Sequence, residues 1–145
     1  MEHRNDNGTS DFTLLPIGIR GTRVYSARSD GSSETDLVQY TYDFAIDLPL
    51  TPGAVMRGKA TTRAASGESE VAEQTVTVTG ATELQIGECR YDVFTIDIAT
   101  VSPRVPLLEQ IAYAPALGFS ISLGVGKTDH SDWFSLVPIK LEALQ

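Results

Sequence analysis

The residues that could do chemistry in this chain stand apart from one another. His130 lies between Asp129 and Asp132, a grouping that would suit a metal ion or an acid–base pair. Zinc takes further nitrogen, sulfur or oxygen ligands, and no other segment offers them; three polar residues in one link between apolar runs read as a solvated turn. Cys89 is the sole cysteine, so an intramolecular disulfide is impossible. As a nucleophile it would need a neighbouring base, and the two histidines, His3 and His130, sit in distant polar segments. It opens an apolar strand face, where a free thiol is expected as a buried, unreactive core residue. Gly126-Lys127-Thr128 matches the tail of a phosphate-binding loop, but the position five residues earlier is Ile121 rather than glycine. Gly118-Phe119-Ser120-Ile121-Ser122 lacks the closing glycine of a nucleophile elbow. Asp43 and Asp47 share a strand face with Cα atoms about 13 Å apart, too far for a coupled carboxylate pair and suited to a charged, solvent-facing surface. No catalytic residue, metal ligand set or cofactor motif follows, and the chain reads as a non-enzyme.

The remaining candidates are aromatic. Val38, Tyr40, Tyr42, Phe44, Ile46 and Leu48 alternate with Gln39, Thr41, Asp43, Ala45 and Asp47. That period of two predicts a strand over residues 37–48 with one buried and one wet face. Tyr40, Tyr42 and Phe44, with Phe94 and Phe119, form a candidate apolar face that would either line a ligand site or pack the core.

The segments that must position these residues centre on residues 75–98. Val76 and Val78 alternate with threonines, Gly80 interrupts the run, and residues 83–86 resume it. Gly87-Glu88 turns the chain into a long strand beginning at Cys89, making an antiparallel meander. Along that strand the apolar phase slips, from Cys89, Tyr91 and Val93 to Phe94, Ile96 and Ile98. Either both faces are buried there, or a β-bulge near Val93-Phe94 restores one apolar face; the bulge is the expected solution.

Around the centre lie a short edge strand over residues 12–19, strands over 22–27 and 55–62, and an ambiguous segment over 107–112. A Tyr113–Gly118 connector follows, then a strand over 119–125, a hairpin loop over 126–132, and a last strand over 133–144. Pro138 marks the last as an edge. The expectation is mainly β, about nine or ten antiparallel strands in one domain over residues 11–145, with little helix. Residues 1–10 are polar and read as a disordered start. Net charge is −8 with the acids dispersed, which argues against nucleic acid or anionic membrane as a partner. No apolar run reaches the length of a spanning helix.

The order of signals carries a resemblance. Gly21-Thr22-Arg23-Val24-Tyr25, the turn at Asp30-Gly31, Leu48-Pro49-Leu50-Thr51-Pro52-Gly53, the strand pair from Thr75 through Gly87 to Val93, and Tyr113-Ala114-Pro115-Ala116-Leu117-Gly118 follow one another. From about Gly21 to Val125 the chain resembles a family of uncharacterised bacterial envelope proteins, similar in fold to the periplasmic outer-membrane-lipoprotein carriers. The resemblance implies a single strongly curved antiparallel sheet, an open half-barrel whose concave side holds an acyl chain or another apolar ligand. It also implies a periplasmic or envelope-attached location, with an export signal removed from the sequence given. A second reading is an assembly module that binds an envelope protein through an edge strand.

Overall fold

The computed structural model describes residues 2–4, 9–12, 23–27, 34–103 and 106–136, with side chains described from residue 38 onward except that of Phe119. Backbone pairing gives one antiparallel sheet in strict sequence order. β1 (Glu2–Arg4), β2 (Thr9–Phe12) and β3 (Arg23–Ala27) form one side of it. The body consists of the seven strands β4 (Glu34–Tyr42), β5 (Val55–Ala64), β6 (Ser69–Ile86), β7 (Cys89–Val101), β8 (Pro106–Ala114), β9 (Phe119–Lys127) and β10 (Phe134–Ser135). β1 and β10 stand at opposite ends of the order, so the sheet is not closed among the described residues. No helix occurs among the described residues. Residues 13–20, most of the expected first edge strand, and residues 137–145, most of the expected last strand, fall outside the described residues.

Register sorts the side chains into two faces. Met56 pairs with Val76, Val76 with Ile98, Val78 with Ile96, and Ile96 with Ile111. These residues share the front face and form the main core with Leu50 and Tyr113; Val76, Val78 and Ile96 have no exposed surface. The back face carries Arg57, Lys59 and Arg63 along β5, all exposed. It becomes apolar toward the other end, where Val93, Ala112 and Ala114 pack with Leu84, Tyr91, Leu117 and Leu123.

The phase slip in β7 is resolved differently from expectation. β7 alternates without interruption, and its pairing with β8 is continuous from Phe94 to Val101. Both faces are apolar where the phase changes: Val93 is buried on the back and Ile96 on the front. The bulge lies in the neighbouring strand. Val78 pairs with Ile96 but Gly80 with Thr95, so Thr79 is the extra residue of β6. It transfers Leu84 and Ile86 to the back face, opposite Tyr91 and Cys89. The Thr79 hydroxyl is held 3.0 Å from the Thr95 carbonyl and 2.8 Å from the Thr95 hydroxyl. Gly80 therefore bends one 18-residue strand and does not end it. A second bulge places Leu123 between Gly124, opposite Gln110, and Ser122, opposite Ile111.

Candidate functional site

The strand expected over residues 37–48 ends at Tyr42. Beyond it the alternation of half-buried and exposed residues continues to Asp47, but the partner changes from strand to sheet face. At the exit the Asp43 N–H donates to the Lys59 carbonyl at 3.1 Å, and the Asp43 carboxylate accepts from the Lys59 N–H at 2.6 Å. A side chain thus replaces the next rung of the ladder and releases the chain from it. Residues 43–54 then cross the front face as a strap. Phe44 lies on Gly58, so close that a Cβ there would meet its ring. The Asp47 N–H donates to the Met56 sulfur at 3.2 Å. Leu50 is buried, and Ile46 and Ala54 pack on the main core. A Pro52-Gly53 turn, with Gly53 at φ 89°, ends the strap. The Gly53 N–H donates to the Val78 carbonyl at 2.7 Å, and the Val78 N–H to the Ala54 carbonyl at 2.9 Å.

Four of the five aromatic candidates are found on this face. Tyr40 pairs with Thr62 and Tyr42 with Ala60, in phase with Met56. Tyr42 and Phe44 meet edge to face with ring centroids 6.4 Å apart. Phe94 lies further along, packed against the same core. All four are half-buried. Phe119 opens β9 opposite Ala114, a residue of the back face; its side chain lies outside the described ones.

Two polar groups on the front face escaped sequence reasoning. Gln74 is buried; its Nε2 donates to the Thr100 hydroxyl at 3.2 Å, and its Oε1 has no hydrogen-bond partner. Glu109 pairs with Ile98 on one side and Val125 on the other. Burial raises its carboxyl above the usual carboxylate range, and a hydrogen bond from Ser122 pulls the other way. Gln74 did carry a signal, since it stands in phase with Val76 and Val78 while Glu73 and Thr75 stand out of phase. Glu109 carried one too, since it stands inside the apolar run 105–112.

The isolated candidates take ordinary structural places. Cys89 is exposed, not buried as expected. It follows the Gly87-Glu88 turn directly, where the hairpin end leaves it uncovered. Its hydrogen bond to Tyr91, with some desolvation, raises the Tyr91 phenol. In the hairpin loop Asp129 accepts from the Ser131 N–H at 2.9 Å and the Ser131 hydroxyl at 2.6 Å, bonds that hold its carboxyl below the usual range. Asp132 pairs with Lys127 at 2.7 Å, and His130 leans on Trp133 with centroids 5.3 Å apart. Trp133 in turn covers Gly124 and Gly126. Asp43 faces solvent as expected, and its backbone bond to Lys59 gives it a structural role as well. Among the described residues no cluster of three or more His, Cys, Asp and Glu could hold a metal ion, and no helix is long and apolar enough to cross a membrane.

A comparison with known protein families, curated proteins and solved structures returns no match.

Proposed function

We propose that this chain is a non-catalytic envelope protein that binds an acyl chain or a similar apolar ligand on the front face, beneath the strap of residues 43–54. One observation carries the reading. Among the described residues, the apolar front of the sheet is covered by a single irregular segment and not by a second sheet or a helix layer. A segment anchored at its two ends, by Asp43 to β5 and by residues 53–54 to β6, is a cover that local opening can lift. Tyr40, Tyr42 and Phe94 would then line the exposed surface, Phe44 the underside of the lifted strap, and Gln74 and Glu109 would meet the polar end of the ligand. The half-barrel curvature belongs to the same proposal; the bulges at Thr79 and Leu123 support it, because a bulge bends its strand.

The test is titration with a fluorescent fatty acid, alongside mass spectrometry of lipid retained through native purification. Saturable binding that weakens in Tyr42→Ala and is competed by unlabelled fatty acid supports the proposal. No saturable binding and no retained lipid would reject it. The alternative reading, an assembly module using a strand edge, is favoured by a separate feature of the same sheet, the projecting end of β6 and β7.

A further inference from the structure

The front face is polar at one end. Gln74 stands there in β6, opposite Gly58 on one side and Thr100 on the other. Thr100 is in turn opposite Leu107, and Glu109 is the next residue of β8 on the same face. A diagonal of this kind spans about 7–8 Å, so Thr100 lies between the two longer polar side chains. Gln74 is only 8% exposed. Its Nε2 is used on the Thr100 hydroxyl, and its Oε1 has no partner. A buried polar atom without a hydrogen bond is both costly and rare. This one belongs to the cross-strand neighbour of Gly58, on which the Phe44 ring of the strap is seated. Lifting the strap therefore uncovers an acceptor that lacks a donor.

We infer that the ligand of the front face ends in a hydrogen-bond donor without negative charge, such as a hydroxyl or an amide, and not in a carboxylate. This rests on the apolar ligand proposed for that face and specifies its polar end. An O–H or N–H can complete the Gln74 Oε1, whereas an ionised carboxylate only accepts. Charge points the same way. Glu109 is an acid already taken out of water on this face. A second carboxylate beside it would bring like charges together where charge is poorly solvated. Among the described side chains no cation is free to hold an anionic head there. Arg57, Lys59 and Arg63 lie on the back face. Arg90 contacts Glu83 at 3.3 Å, and Lys127 contacts Asp132 at 2.7 Å. A hydroxyl or amide needs no counter-ion and leaves Glu109 its bond from Ser122.

Displacement of a fluorescent fatty acid by three chains of equal length tests this, at neutral pH and below the aggregation concentration of each. Dodecanol is expected to displace the probe at about tenfold lower concentration than dodecanoate, the difference that one completed hydrogen bond makes. Dodecyl methyl ether keeps the oxygen but has no O–H to give, so it should compete no better than dodecanoate. Gln74→Leu removes the unpartnered oxygen and should abolish the advantage of dodecanol over the ether. The wild-type ranking of the three chains decides the matter even if that variant fails to fold. Dodecanoate as good as dodecanol, an ether as good as the alcohol, or an advantage that survives in Gln74→Leu would each overturn the inference and leave the ligand site standing. A probe that does not bind, or that no chain displaces, would reject the ligand site and the inference with it.

Discussion

At the residue scale, two glycines support large rings. Gly58 lies under Phe44, and Gly124 lies under Trp133. Neither has a positive φ; what each supplies is the absence of a Cβ. Gly58→Ala would put that atom against the Phe44 ring and push the strap outward, so a loss of about 1–3 kcal/mol is expected, as for overpacking in a core. A lower urea midpoint at unchanged slope would register it; an unchanged midpoint would mean that Phe44 is not seated on Gly58. Glu109 makes a second residue-scale prediction. Its carboxyl is raised by burial, so ionising it costs more in the folded state than in the unfolded chain. Stability from this group is complete below the ordinary glutamate range and declines as pH rises through the raised value. Glu109→Gln should accordingly be more stabilising near neutral pH than in acid, read as the difference in melting temperature between variant and wild type at each pH. A constant difference would place the carboxyl in water. The two differ in what the sequence shows. A glycine under a ring is defined by neighbours that local pattern does not contain, whereas Glu109 stands out inside the apolar run 105–112, and only its flanking partners Ile98 and Val125 come from outside that pattern.

At the element scale, alternation identified the strands and misplaced the devices that join them. The turn at Gly87 stands where turn residues predict, and the strands expected over 22–27 and 55–62 are found at 23–27 and 55–64. Residues 107–112, ambiguous by pattern, are part of β8. Alternation past Tyr42 was also real, and it misled, because a strap lying on a sheet face hides every second side chain just as a strand does. The slip in β7 predicts a bulge in β7, yet a bulge in its partner serves equally: the faces need only agree across the pair. Thr79 is that extra residue. Deleting it leaves Val78 opposite Ile96 and Gly80 opposite Thr95, so Leu84 and Ile86 keep the back face and only the bulge is lost. The deletion is therefore expected to cost about 1 kcal/mol, close to Thr79→Ala, which removes the same hydroxyl bonds to Thr95. A chemical-denaturation midpoint for the deletion far below that of Thr79→Ala would show that the faces beyond residue 80 depend on the bulge itself.

At the scale of the whole molecule, the main core belongs to the middle of the sheet. Its buried members run from Leu50 to Tyr113 and come from β5 to β8 and the strap. Removing residues 1–33, and with them β1 to β3, should leave a cooperative unfolding transition shifted only modestly, since β4 then becomes the edge. Removing residues 106–127 takes away Ile111 and Tyr113 and uncovers Ile96 and Ile98; no cooperative transition should survive. Circular dichroism against temperature separates the outcomes, and a first deletion as damaging as the second would move the centre of stability toward the N-terminus.

Strand order has a consequence for the making of the protein. Among the described residues each strand pairs with the one before and the one after it in sequence. No such pairing waits on chain beyond the next strand, so each loop to be closed is no longer than one hairpin. A nascent chain emerging from the ribosome can lay down each strand on a template already in place, and the growing front of the sheet moves in step with synthesis.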